Sequence, residues 1–258
     1  MCYHKAPHTN SIPAEKYKDL YRDIYLPIPD NFYDTREGMS DAEKYHNSGV
    51  EKIPFADMKV ATPEGLTDNE VKEWKYQTYF KDYLRCIASI DESIGRMLDY
   101  LEANNLMDDT VIIYTSDQGF FIGEHGWYDK RFMLEESIKM PFVIASKDDV
   151  KEGIVIDEMV SNLDFAPTFL DLAGIKKPNY MQGRSFSRLL KGEKPEWNNP
   201  LYYRYWMAKS GHCISPHYGI RTEQYKLICY LGARCYLNSE VVEVKKMPYG
   251  LNGKCLVL

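Results

Sequence analysis

Three observations predict an α/β fold with a smaller antiparallel sheet at its C-terminal end. A long amphipathic helical pattern ends just before a short apolar run rich in β-branched residues. A second such run follows a polar, glycine-bearing loop, and three aromatic segments separated by turns stand near the C-terminus. A helix leading into a buried strand marks the α/β part, and short strands divided by polar turns mark the antiparallel part.

Residues 1–66 are rich in proline, aromatics and charge, as in Tyr25-Leu-Pro-Ile-Pro29. They show neither a helical nor a strand period, so they are expected as extended loop wrapped on another element. From Thr67 the pattern changes. Phe80, Tyr83, Leu84, Ile87, Ile90, Ile94, Met97, Leu98 and Leu101 recur at three- and four-residue steps, which marks one helix ending near Asn104-Asn105. Cys86 falls in its apolar stripe and is read as core. Thr110 to Thr115 is a strand of the kind covered on both faces inside a parallel sheet, and Met140 to Ala145 is a second apolar run. Leu163 to Ala173 reads as a helix stopped by Gly174. Past Pro195, Leu201 to Trp206, Tyr218 to Arg221 and Tyr225 to Tyr230 are expected antiparallel strands, with Tyr202, Tyr203, Tyr205 and Trp206 as core of the small sheet. The expected boundaries are 1–190 for the main domain, 191–231 for the small β subdomain and 232–258 for a tail without assignment.

Composition excludes several classes. The 258 residues are 44% hydrophobic and carry 32 basic against 38 acidic side chains, a formal net charge of −6. With no Lys/Arg run, a nucleic-acid or anionic-membrane binder is not expected, because both need a concentrated positive field. No stretch reaches the roughly 18 consecutive apolar residues of a transmembrane helix. Met1-Cys2-Tyr3-His4-Lys5 has no apolar region behind it, so no signal peptide is expected in this chain. The six cysteines form no Cys-x-x-Cys pair, which excludes a zinc ribbon and leaves dispersed free thiols as the reading.

The segment with chemical promise begins where the first apolar run ends, at Ser116-Asp117-Gln118-Gly119, and continues through Gly123-Glu124-His125-Gly126 to Lys130. Ligands of open α/β sheets collect outside the carboxyl ends of strands. A carboxylate beside an amide oxygen suits a hard cation such as Ca²⁺ or Mg²⁺. Lys130 returns toward the same place as an anion-binding point charge, or stays a solvated lysine on a polar turn.

Asp117, Gln118, Gly119, Gly123-Glu124-His125-Gly126, Lys130, Glu135 and Pro141 together resemble the signature of type I, formylglycine-dependent sulfatases of the alkaline phosphatase superfamily. Ile90-Asp91 with Gly95, Asn162 to Thr168 and Met181-Gln-Gly-Arg-Ser185 follow the same family, so the resemblance spans roughly residues 3–228. It implies a sheet sandwiched by helices, here the C-terminal part of it, and hydrolysis of sulfate esters of carbohydrates of glycosaminoglycan or mucin type. It implies that Asp117 and Gln118 are two ligands of a single Ca²⁺ and that Lys130 contacts the sulfate. Tyr3-His-Lys-Ala-Pro-His8 resembles the family's histidine loop, which makes His8 the general acid that protonates the leaving oxygen; His4 is read as a surface residue. His212, His217 and Arg221 are expected at the mouth of the pocket, in contact with sugar hydroxyls or carboxylates. A full-length relative would be periplasmic or secreted.

Two departures accompany the match. The Cys-x-Pro-Ser-Arg element whose cysteine becomes formylglycine is absent, since Cys86-Ile-Ala-Ser89 continues with Ile90. The early Asp-Asp pair that supplies the other metal ligands is absent too. The chain is therefore expected to be inactive alone, and past Tyr230 it is expected to stop resembling the family. A phosphodiesterase or phosphonate-ester hydrolase of the same superfamily, and a truncated remnant without catalysis, are the alternatives.

Overall fold

The computed structural model describes residues 2–207 and 211–231 with their side chains, and the backbone of 234–237, 240–243 and 255–257. In chain order the helices are α1 (Asp41–Lys44), α2 (Phe55–Met58), α3 (Asp68–Ala103), α4 (Glu135–Ile138), α5 (Asn162–Leu172) and α6 (Ser187–Leu190). The strands are β1 (Ile112–Thr115), β2 (Phe121–Ile122), β3 (Tyr128–Asp129), β4 (Phe142–Ala145), β5 (Leu201–Tyr205), β6 (His217–Arg221), β7 (Lys226–Tyr230), β8 (Arg234–Leu237), β9 (Glu240–Glu243) and β10 (Cys255–Val257).

Helix α3 begins where the pattern begins. Thr67 caps it, with its hydroxyl accepting from Glu70 N–H while the Glu70 carboxylate accepts from Thr67 N–H. The first 66 residues hold only single turns of helix and wrap this scaffold, as expected. Their Leu26, Phe32, Val50, Ile53 and Met58 pack on Tyr76, Tyr79 and Phe80 of α3, forming one core with Tyr128 of β3. Cys86 is buried in the same helix, and burial pushes its thiol pKa up. Phe80 is fully buried at the centre of this cluster. Phe80→Ala is therefore expected to cost about 3–5 kcal/mol, read as a fall in the urea midpoint at unchanged slope.

The strand Thr110 to Thr115 departs from expectation. β1 pairs antiparallel with β4, Ile112 opposite Ala145 and Thr115 opposite Phe142, and no parallel pair occurs among the described residues. Phe142 and Ile144 of β4 pack on Phe165 of α5 and on Phe186, Leu189 and Leu190, whereas Tyr114 and Val143 are 41% and 63% exposed. A β-branched apolar run reports a tendency to be covered, but neither its partner nor the direction of that partner is written in the run itself. The mixed α/β class holds, with small antiparallel sheets.

The C-terminal sheet has the order β10-β7-β6-β5, all antiparallel. Its core face is narrower than the aromatic run suggested. Tyr203 and Tyr205 point inward, while Tyr202 and Trp206 are 64% and 70% exposed, as strand alternation requires. Helix α5 starts at a capping box of Ser161 and Asp164, and Gly174 lies just past its end at φ +67°.

Candidate active site

Two loops meet at Ser137. The Gly119 N–H donates to the Ser137 carbonyl at 2.9 Å, and the Arg131 N–H donates to the Ser137 hydroxyl at 2.9 Å. The buried start of α4 thus joins the loop of Asp117 and Gln118 to the loop of Lys130. Gly119 permits that approach, since a Cβ there would lie 2.2 Å from the Glu136 carbonyl oxygen.

Lys130 is 9% exposed and stands between two residues in the left-handed backbone region, Asp129 at φ 76° and Arg131 at φ 94°. Non-glycine residues adopt that region at a cost, and two of them flanking one lysine mark a position held by its surroundings. The Lys130 ammonium lies 3.6 Å from Asp129 Oδ1 and 5.8 Å from the Phe120 ring centre. Burial lowers its pKa, while the charge of Asp117 opposes the shift. Asp117 itself is exposed. Gln118 Nε2 lies 3.4 Å from Asp117 Oδ2.

Asp129 is the hub that sequence reasoning missed. Its carboxylate is buried, takes a hydrogen bond from Arg131 Nη1, and lies 3.4 Å from His212 Nδ1. The signal was its place inside the Tyr128-Asp129-Lys130 run, which alone assigns no role. Burial and the charges of Arg131 and Lys130 push the His212 pKa down to about 4. At neutral pH the ring is therefore uncharged, with Nδ1 beside the carboxylate. Asn47 fixes this segment through Asn47 N–H to the His212 carbonyl at 2.8 Å and Nδ2 to the Gly211 carbonyl at 2.9 Å.

His217, expected at the pocket mouth, lies instead in the core, and Arg221 is held by an ion pair to α4. His217 is fully buried among Tyr203, Tyr205, Tyr230 and Phe132, and its Nδ1–H donates to the Ser215 carbonyl at 2.8 Å. The inward alternation of β6 carries it into the core. Arg221 is paired with Glu135 at 3.2 Å, and Lys226 reaches the same carboxylate at 2.5 Å. It ties the β6–β7 hairpin to α4 through a carboxylate that it shares with Lys226.

His8 is exposed, with Nδ1 3.1 Å from the Thr9 carbonyl oxygen. The same Nδ1 lies 3.3 Å from the Thr9 hydroxyl. His4 is exposed beside Ser93 of α3. His125 is engaged differently: its Nδ1 lies 2.7 Å from Asp34 Oδ2, the pair that holds the Asp34 carboxyl below the usual carboxylate range.

Asp117 and Gln118 offer a carboxylate and a carbonyl oxygen, donors that fit a hard cation in kind. They fall short in number, since no group of three or more His, Cys, Asp or Glu side chains suited to a metal occurs among the described residues. No helix among them is long and apolar enough to cross a membrane.

Buried neutral histidines make stability depend on pH. His46, pushed down to about 3 by burial, and His212, at about 4, stay uncharged in the folded chain, while unfolding returns both toward the ordinary value near 6.5. The unfolded chain then binds more protons, so stability is lost as pH falls from about 6.5 toward 4, by up to about 1.4 kcal/mol per pH unit for each ring. Urea midpoints between pH 7 and 4.5 should show this slope, and His46→Gln should flatten it.

The chain belongs to the sulfatase family: the family model "Sulfatase" matches residues 7–175, and "N-sulphoglucosamine sulphohydrolase, C-terminal" matches 123–253. The second match runs through much of the tail that was expected to depart from the family. The chain is 37% identical to N-acetylglucosamine-6-O-sulfatase of Bacteroides thetaiotaomicron, over 88% of this chain and 49% of that protein. It is 27% identical to N-acetylglucosamine-6-sulfatase of Bos taurus, over 78% of this chain and 33% of that protein. A solved structure described as in complex with its substrate D-glucosamine-2-N,6-O-disulfate superposes with a TM-score of 0.81 at 35% identity, covering 88% of this chain and 55% of that one. Phosphonate monoester hydrolase from Silicibacter pomeroyi shares the fold, with a TM-score of 0.69 at 23% identity, covering 87% of this chain and 46% of that one. The chain spans about half the length, or less, of these relatives.

Proposed function

We propose that this chain forms the Lys130 side of a carbohydrate sulfatase site, acting on a 6-sulfated N-acetylglucosamine or glucosamine unit. The observation that carries the reading is the buried Lys130, held between two residues at positive φ on a loop joined at Ser137 to that of Asp117, in a member of the sulfatase family. A desolvated ammonium favours an anionic group, and a sulfate ester brings one. His212 and the Asp129–Arg131 pair would hold sugar hydroxyls beside it. Asp117 and Gln118 would contribute two oxygens to a Ca²⁺ whose remaining ligands lie outside these 258 residues. With polymeric sulfated glycans as substrate, the working place is the periplasm or the medium.

The test uses two proteins. The 258-residue chain alone should release no sulfate from N-acetylglucosamine-6-sulfate, because no Cys-x-Pro-Ser-Arg element occurs in it. Joined to the upstream half of the Bacteroides thetaiotaomicron relative, it should release sulfate with preference over hydrolysis of a phenyl phosphonate ester. Sustained release by the chain alone, or preference for the phosphonate, would overturn the reading.

A further inference from the structure

Residues 46–49 touch the backbone on both sides of the His212–Asp129 contact. On one side the Asn47 N–H donates to the His212 carbonyl at 2.8 Å, and Asn47 Nδ2 donates to the Gly211 carbonyl at 2.9 Å and lies 3.6 Å from Cys213 Sγ. On the other side the Tyr128 N–H donates to the Ser48 carbonyl at 2.9 Å, and Gly49 pairs with Trp127 in an antiparallel bridge. Tyr128 is the neighbour of Asp129 in β3. Asn47 and Ser48 therefore span, in two residues, the two segments whose side chains meet at 3.4 Å between His212 Nδ1 and Asp129 Oδ2.

This bridge is firmly anchored. His46 and Ser48 are each 1% exposed, and the Ser48 N–H donates to His46 Nδ1 at 2.9 Å. The His46 ring stands edge-on to Trp127 and Phe132, with ring centres 4.6 and 5.2 Å away. Lys52 Nζ donates to the His46 carbonyl at 2.6 Å and lies 3.5 Å from Asn47 Oδ1. The Asn47 amide thus turns its oxygen to an ammonium and its nitrogen to a carbonyl, a pair of duties that only a side chain with both a donor and an acceptor can perform. The segment it holds needs holding. Cys213, next to His212, sits at φ 53°, a conformation that a residue with a Cβ keeps only when its surroundings impose it. The His212 side chain is 34% exposed, so its place beside Asp129 depends on the backbone that carries it.

We propose that Asn47 is a positioning residue for substrate recognition: it fixes the Gly211–His212 backbone against β3, so that the His212 ring stands beside Asp129 where a sugar hydroxyl is held. This rests on the reading of His212 as a sugar contact. No local pattern marks Asn47, since its partner Gly211 lies 164 residues further along the chain.

Two measurements test the role. In the 258-residue chain, ¹H–¹³C NMR of the imidazoles follows the titration of His212, its signal identified by its loss in His212→Gln. Asn47→Ala should raise the His212 midpoint by about one pH unit or more, because a ring released from its place leaves the burial and the Arg131 and Lys130 charges that hold the midpoint down. A substitution that only loosened the fold would lower the urea midpoint and leave the His212 midpoint where it was, and that result would overturn the proposal. Should Asn47→Ala fail to fold, Asn47→Ser shortens the same reach and is held to the same two outcomes. In the joined enzyme, Asn47→Ala should raise KM for N-acetylglucosamine-6-sulfate about two- to tenfold, as for loss of one neutral hydrogen bond, with a smaller change in kcat. 4-Nitrophenyl sulfate, which has no sugar hydroxyl, should change far less. If His212→Ala shows that selective loss and Asn47→Ala does not, the positioning role fails and the sugar contact stands. If His212→Ala is itself unselective, the reading of His212 fails, and the titration alone decides whether Asn47 holds the ring.

Discussion

Lys130→Ala in the joined enzyme is expected to slow sulfate release by about 10²–10³-fold, and by a similar factor on a sugar sulfate and on a nitrophenyl sulfate, as for loss of one preorganised electrostatic stabiliser. The symmetry follows from what the ammonium addresses. It is buried beside Phe120 and Asp129, and on the proposed reading it compensates charge on the sulfuryl oxygens, which both substrates share. Burial strengthens that compensation, because the same charge in water would be screened. Lys130→Arg should recover little, since a guanidinium fork beside Asp129 pairs with that carboxylate instead. Comparison of kcat/KM for N-acetylglucosamine-6-sulfate and 4-nitrophenyl sulfate checks the point. A loss confined to one substrate, or below about threefold on both, would remove Lys130 from the sulfate.

Much of this site was legible because its residues are consecutive. Asp117, Gln118 and Lys130 sit on one segment whose glycines and charged residues announce a strand-end loop, and Thr67 with Glu70 announces the helix that supports it. What was not legible depends on contacts between distant segments. Asp129 gains its role only when His212, more than eighty residues on, is brought to 3.4 Å. His217 and Arg221 look alike in a sequence and part company in the fold, one stacked inside a sheet face and the other paired with Glu135. The direction of β1 relative to β4 was equally hidden, since composition sets burial and the partner strand sets direction.

His8→Ala should separate the substrates that Lys130→Ala does not. A sugar alkoxide is a poor leaving group and needs a proton as the ester bond breaks, whereas nitrophenolate leaves with little help. General acid catalysis typically supplies about 10²–10⁴-fold, so the variant should lose about that on N-acetylglucosamine-6-sulfate and far less on 4-nitrophenyl sulfate. His8 is exposed and, among the described residues, its ring is engaged only by neighbouring Thr9, at Nδ1. His125 is engaged on both nitrogens, Nδ1 by Asp34 at 2.7 Å and Nε2 by Asn31 Nδ2 at 3.4 Å. His125→Ala should therefore damage folding of the loop before it damages leaving-group protonation, lowering both substrates together along with the urea midpoint. Equal losses for His8→Ala on the two esters, with the sugar-selective loss appearing in His125→Ala instead, would move the general acid to His125.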